Sequence, residues 1–468
     1  MRVDVRRPGF RRLVLGQGAM LAAGFGLSQA LSLGRNALLG YMLARGDFGI
    51  AATITLTLQL IEILTDLAPD RFLMQSRTSD DARLLAVAHA MTLARGLLVA
   101  LVLAAGAEPL TRFFGIPEAS GAFLLMAVVP LIKGLQHLDS RLAQRSLDSR
   151  PLLMAEVGGQ AAALAAAWPL LALWPMPVGV VWLAIVQAAA TVAASHGLAR
   201  RHYRIRAEWS LVRDALAFGW PIWLSAFPLI AVYQADRMIV GHILGMEALA
   251  GYSAAVMLTM VPGLLAAKIG QSLVLPILVG RSRETDEFAR AYRLMLEGVV
   301  VGAAAYLAVC AIAGGTILAA VFGPQYRGLD LLVAWAGAMW AVRMVQAVPG
   351  MALMAQGATR PLLLAGIVRA LAVPVALVVA LMRLPLETIA AAGLLGEIGS
   401  LLTLSLALAR TEAGTGLARA TLLRVGMLAP LIGLIALAGQ ERALVTTLGL
   451  AVLALLAAAF AVGSVRCV

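Results

Sequence analysis

Eleven ionisable side chains interrupt the long apolar runs of this 468-residue sequence. They are Arg35, Glu62, Arg95, Lys133 and Glu156 in the first half, and Arg237, Lys268, Glu297, Arg343, Arg369 and Glu397 in the second. A charge held in hydrocarbon costs about 2.5–3.5 kcal/mol by insertion scales, so each one needs a partner, water or a task. Seven of the eleven are basic and four acidic, and Asp66 and Asp236 sit near the ends of their runs. A cationic surplus in a low-dielectric setting suits an anion, because Arg and Lys make charge-assisted bonds to phosphate and carboxylate oxygens. The candidate binding cations are therefore Arg35, Arg95, Arg237, Lys268, Arg343 and Arg369. The candidate coupling or structural acids are Glu62, Asp66, Glu156, Asp236 and Glu397.

Each of these residues also has a plainer reading. Arg35 and Arg237 lie near the outer ends of their runs, where a long side chain can snorkel to the headgroups. Glu62 and Glu297 lie within a few turns of the opposite face, where pairing with a structural cation is the simpler role. Glu156 and Gln160 share one helical face at i, i+4 spacing, the pattern of an interhelical hydrogen bond. Lys268 and Arg343 stand near mid-run without a close sequence neighbour of opposite charge, which makes them the strongest cavity candidates. Pro221, Pro228 and Pro262 delete backbone donors inside the seventh and eighth runs, as static bends or as hinges. His89, His137, His196, His202 and His242 form no i, i+4 pair, and the cysteines are only Cys310 and Cys467. Neither a disulfide framework nor a metal or cofactor site is expected.

The elements that must position these charges follow from composition. The chain is 61% hydrophobic and 13% charged, with a mean hydropathy of +0.89. Soluble domains hold roughly 45–50% apolar and ~25% charged residues. Such an excess cannot be hidden in a water-soluble core, which leaves an all-α polytopic membrane protein. Fourteen apolar segments fall near 14–43, 47–69, 84–106, 120–138, 152–174, 177–196, 213–244, 248–279, 294–320, 329–355, 361–382, 387–409, 424–439 and 443–463. Each approaches the ~20 residues that cross a bilayer. The fourth is the weakest, since Lys133, Gln136 and His137 crowd its second half. The basic N-terminus resembles a signal peptide, but the apolar run behind it is too long and reads as a retained first helix.

With the N-terminus inside, alternate connections hold 25 basic residues and the opposite ones 6. Under the positive-inside rule both termini are cytoplasmic. Most of the net charge of +12 is then a topology signal, and no nucleic-acid partner is expected. The stretch His196–Arg213, with Arg200, Arg201, Arg204 and Arg206, is placed on an anionic leaflet, where each base contributes about 1 kcal/mol.

The chain also repeats itself. Arg150-Pro-Leu-Leu-Met-Ala recurs as Arg360-Pro-Leu-Leu-Leu-Ala, and Leu110-Thr-Arg-Phe-Phe-Gly as Leu318-Ala-Ala-Val-Phe-Gly. Leu38-Leu-Gly-Tyr-Met-Leu matches Ile239-Val-Gly-His-Ile-Leu more loosely. Three matches in order, offset by 210, 208 and 201 residues, define two parallel six-helix lobes. The expected organisation is a lobe over 1–196, a basic connector over 197–212, a second lobe over 213–410 and two further helices over 411–468.

Several motifs resemble the polysaccharide-transport family of the multidrug/oligosaccharidyl-lipid/polysaccharide (MOP) exporter superfamily. They are Tyr41-Met-Leu-Ala-Arg-Gly-Asp-Phe-Gly, Thr65-Asp-Leu-Ala-Pro-Asp, Phe218-Gly-Trp-Pro-Ile, Asp236-Arg-Met-Ile-Val-Gly and Phe322-Gly-Pro-Gln-Tyr. The resemblance covers essentially the whole chain. It implies a two-lobe flippase with a cationic cavity that moves a polyprenyl-pyrophosphate-linked oligosaccharide from the inner to the outer leaflet of a bacterial cytoplasmic membrane. The six candidate cations would hold the pyrophosphate. The partners implied are that lipid-linked substrate, membrane lipids and the polysaccharide polymerase machinery that uses the product.

Alternatives within the superfamily are a lipid II-type flippase and a multidrug exporter, although the latter needs unpaired acids for cationic drugs. A membrane glycosyltransferase or polymerase would need a catalytic group on a sizeable outer loop, and the longest such connection, near Glu108–Glu118, is about a dozen residues. The topology makes a direct prediction. A cysteine placed at position 200 should react with impermeant thiol reagents only after the membrane is opened, and one at position 112 in intact cells. The reverse pattern would invert the orientation.

Overall fold

The structure, a computed structural model, describes residues 8–75, 81–145, 148–281, 285–411 and 414–437. Among these the chain is all-α, without a strand. The first helices are α1 (Pro8–Met42), α2 (Arg45–Leu64), α3 (Pro69–Gln75), α4 (Asp81–Phe113), α5 (Ser120–Met126) and α6 (Val128–Gly134). Next come α7 (Asp139–Arg145), α8 (Arg150–Leu173), α9 (Pro177–Gly197), α10 (Trp209–Ile239), α11 (Met246–Ile269) and α12 (Leu275–Arg281). The remainder are α13 (Thr285–Phe322), α14 (Asp330–Ala355), α15 (Arg360–Ala370), α16 (Ala372–Leu381), α17 (Leu386–Ala409), α18 (Gly414–Val425) and α19 (Ala429–Leu437).

Eleven described helical stretches are long and apolar enough to cross a membrane, and the protein is an all-α multi-pass membrane protein. Helices α1 and α10 stand outside these eleven, and segment 443–463 lies outside the described residues. The fourth sequence segment is broken at Ala127 into α5 and α6, and it ends at Gly134, before Gln136 and His137.

Packing divides the chain into two compact units, Met1–Ala250 and Gly251–Val468. In the first, Ile54 and Leu58 of α2, Leu103 of α4, Phe123 and Met126 of α5 and Val181 of α9 are buried in one apolar cluster. In the second, α14 is the central helix, buried along most of its length and packed on α13 and α17. Apolar side chains such as Leu173 and Leu423 remain exposed, as expected where the solvent is lipid.

Helix α10 belongs to the first unit, packed on α2 and α3. Trp223 Nε1 donates to the Leu64 carbonyl (2.5 Å), satisfying one of the last carbonyls of α2, which have no partner within their own helix. Gly219 lies so close to the Leu67 carbonyl that a β-carbon would collide with it. At the other end of α2, Gly49 meets the Met246 backbone in the same way. The repeat boundary expected near 197–212 belongs to the sequence period and the boundary at Ala250 to packing density, so the two are different quantities.

The repeated motifs adopt matching local structures. Gly115 (φ 68°) and Gly323 (φ 111°) each end a long helix in a left-handed conformation that favours glycine. A short 3₁₀ turn opened by Pro117 or Pro324 follows in each copy. Arg150-Pro151 and Arg360-Pro361 each open a helix, with proline in the first turn where its missing N–H costs nothing.

The close approaches at α2 predict asymmetric tolerance to one methyl group. Gly49→Ala and Gly219→Ala should each cost about 1–3 kcal/mol through overpacking. Gly46→Ala, which meets nothing within 4 Å, should be near neutral. Thermal unfolding of the purified variants in one detergent measures the difference.

Candidate functional site

In the second unit the structure joins three of the candidate residues into one cluster. Glu397 on α17 is 1% exposed. Arg343 Nε of α14 donates to it at 2.7 Å, and Arg369 Nε of α15 stands 3.1 Å from its other oxygen. Gln346 Nε2 donates to that second oxygen at 2.5 Å. Arg369 also reaches the Ser400 hydroxyl (3.2 Å), one turn beyond Glu397. The Arg343 guanidinium lies 4.4 Å from the centroid of the Trp340 ring, a cation–π contact. Trp340, Arg343 and Gln346 recur every third residue of α14, and Glu397 and Ser400 do so on α17, so one stripe of each helix supplies the cluster. Two guanidiniums share one carboxylate here.

In the first unit, Arg95 and Lys133 neutralise the acids at the end of α2. Lys133 Nζ donates to both oxygens of Glu62 (2.9 and 3.1 Å). Arg95 lies 3.3 Å from Asp66 and donates to the Glu62 carbonyl at 2.7 Å. A cation at a helix C-terminus satisfies an orphan carbonyl and opposes the macrodipole, which explains why this cluster sits there. Its charges balance. Glu297, in the second unit, is paired with Arg424 of α18.

The remaining cations of the first unit are held differently. Arg35 of α1 donates to the amide oxygens of Gln160 on α8 (3.5 Å) and Gln187 on α9. Gln160 therefore makes its interhelical bond to Arg35, while Glu156 one turn before it is exposed. Asp236 accepts the Arg237 backbone N–H (2.8 Å). The Arg237 side chain is buried, with its residue 8% exposed, and no carboxylate pairs with it among the described residues. The sequence offset of 201 sets Arg35 against Asp236, next to Arg237, so both copies carry a cation at nearly the same place.

Backbone irregularity marks two more of the candidates. Arg237 lies three residues before a π-helical turn, Val240–Leu244. Lys268, exposed on the last turn of α11, lies two residues before another, Gly270–Val274. Such turns concentrate at functional sites. Helix α10 runs through Pro221 and Pro228, and α11 through Pro262.

Counting charges alone misses Gln187, Gln346 and Trp340. Their signal was available, since an amide inside an apolar run must find a partner as a charge must.

This all-helical, multi-pass architecture is also the fold of several solved membrane proteins. The fold is similar to the lipid II flippase MurJ in an inward closed conformation, with TM-score 0.73 and 12% identity over 96% of this chain and 100% of that one. It is also similar to an inward-facing multidrug resistance MATE family transporter of the MOP superfamily, with TM-score 0.66 and 13% identity over 84% of this chain and 95% of that one. A third is a MOP superfamily transporter from Pyrococcus furiosus, with TM-score 0.51 and 14% identity over 89% of this chain and 96% of that one. Comparison of the sequence with curated proteins finds no match. A family model described as polysaccharide biosynthesis protein matches residues 38–329, and the chain belongs to that family.

The sharing of Glu397 predicts an order of mutational cost. Arg343→Ala or Arg369→Ala leaves the acid with its other guanidinium. Glu397→Ala leaves two partly buried cations without it and should cost about 3 kcal/mol, more than either arginine variant. Thermal stability of the three purified proteins checks the ranking, and an arginine variant costing as much as the acid variant would contradict it.

Proposed function

We propose that the protein is a flippase for a polyprenyl-pyrophosphate-linked oligosaccharide. It carries this substrate by alternating access from the inner to the outer leaflet of a bacterial cytoplasmic membrane, with both termini in the cytoplasm. The observation that supports this reading best is the cationic surplus that remains after internal pairing. Arg35 rests on two neutral amides, Arg237 is buried with no carboxylate paired to it among the described residues, and Arg343 and Arg369 gather on the single carboxylate of Glu397. A pyrophosphate is the matching group, and a guanidinium in a water-poor setting binds it through paired N–H···O bonds. No bond is made or broken in such a transfer. The polymerase machinery that uses the lipid-linked unit would act on the product at the outer leaflet.

Membership of the polysaccharide biosynthesis family supports an oligosaccharide as the passenger. A lipid II-type flippase is the second reading, favoured by the likeness to MurJ over nearly the full length of both chains. That substrate presents the same pyrophosphate handle.

Deletion of the gene tests both readings. The flippase reading predicts that lipid-linked oligosaccharide accumulates on the inner leaflet and that the surface polymer is lost. Arg35→Ala and Arg237→Ala proteins, present at wild-type abundance, should restore less than about a tenth of export, corresponding to roughly 1.4 kcal/mol or more of lost binding. Loss of peptidoglycan synthesis with unchanged surface polymer would favour lipid II. Sensitivity to cationic drugs without either lipid phenotype would overturn both.

A further inference from the structure

The basic segment between α9 and α10 is the strongest feature that the transport reading does not use. Residues 202–208 form no helix, yet their path is fixed from one side by bonds to backbone atoms. The Asp139 carboxylate accepts the Arg200 backbone N–H at 2.8 Å. His137 Nδ1 accepts the Asp139 N–H, so its Nε2–H is left to donate to the Arg201 carbonyl, 3.0 Å away. His89 Nε2 accepts the Leu138 N–H, so its Nδ1–H donates to the Arg204 carbonyl, again at 3.0 Å. The Arg206 N–H donates to the Ala86 carbonyl at 3.2 Å. The Tyr203 ring stacks on His89, with centroids 4.3 Å apart, and completes the attachment.

Burial alone would raise the Asp139 carboxyl. The Arg200 N–H and the Arg201 guanidinium outweigh it and hold the group below its ordinary range. A carboxylate whose pKa is depressed on folding contributes fully above its unfolded value and loses that contribution as pH falls through the folded one. This tie is therefore in place at neutral pH.

With the backbone occupied on one side, the side chains of Arg200, Arg204 and Arg206 are exposed on the other. Arg201 is tied to Asp139 (2.6 Å), and Arg83 to Glu208 (2.6 Å). Arg206 Nε lies 3.9 Å from the same Glu208 carboxylate while its side chain stays 62% exposed, and Arg200 and Arg204 are exposed beside it. Ile205 (54% exposed) and Trp209 (73% exposed) stand among them. In bulk water that apolar exposure is unfavourable. At the edge of a bilayer it is the expected arrangement, with tryptophan at headgroup level and arginine on the phosphates. The segment follows directly on α9, one of the eleven stretches long and apolar enough to cross a membrane, and leads into α10, which places it at that edge.

We propose that the 198–209 segment is a preformed docking surface for the phosphate groups of anionic membrane lipids, contacted by Arg200, Arg204 and Arg206 and anchored by Ile205 and Trp209. The occupant is the lipid surface itself, not a soluble anion. Because the ties use backbone atoms of this segment, replacing its arginine side chains leaves them intact.

The test uses the full chain with Cys467→Ser and Ile205→Cys, carrying an environment-sensitive fluorophore at position 205. The protein is placed in nanodiscs of phosphatidylcholine with increasing phosphatidylglycerol. The fluorophore should move to an apolar environment as phosphatidylglycerol is added, and the half-response should shift about 5-fold higher for each arginine changed to Gln. Lysine at the same three positions should restore it. Equal fluorescence in the two lipids, or an unchanged response in the triple Gln variant, would overturn the proposal. Loss of the response on adding inorganic phosphate, at an ionic strength matched with chloride, would overturn it in favour of a free-anion site.

Discussion

The constraint on which the rest depends is the cost of an ionised group in a medium that cannot solvate it. Each charge in the apolar runs has to be neutralised by a partner, reach water or hold a ligand. The protein uses different solutions in different places. At the end of α2 two cations meet two acids in balance. Around Glu397 two cations meet one acid. At Arg35 the acceptors are uncharged amides. The same problem of an ionised group in a poor solvent is thus met by balanced pairing, by a shared acid and by neutral amides in different parts of the chain.

Helical class, span positions and the presence of the charges were legible in the sequence because they are local. Apolar runs of about twenty residues can satisfy their backbone only as helices in lipid. Local signals in the matched motifs were legible too, since Gly115 and Gly323 both take positive φ at helix ends and Pro151 and Pro361 each stand in the first turn of a helix. The end of the fourth segment at Gly134 was foreshadowed by Gln136 and His137, whereas the break at Ala127 had no such signal.

Partner choice was not legible. Arg343 and Glu397 are 54 residues apart in sequence, and Lys133 and Glu62 are 71 apart. Which acid meets which base depends on helix rotation, and a 100° change of face cannot be read from a run that is apolar all round. Glu156 shows the limit: Gln160 makes the interhelical bond expected of that face, to Arg35 of α1, while Glu156 on the same face is exposed. The histidines form no i, i+4 pair, yet His89 of α4 and His137 of the α6–α7 connection come together with rings 4.8 Å apart.

The shared carboxylate constrains how this protein can drift. If Glu397 is replaced first, the chain must pass through a form with two guanidiniums that have lost their common counter-ion. If an arginine goes first, the remaining pair is self-sufficient, and a neutral residue elsewhere can follow. The three positions should therefore be strongly epistatic, with viable mutational paths that begin at Arg343 or Arg369. A lineage in which this carboxylate has disappeared should have shed one of its arginines beforehand.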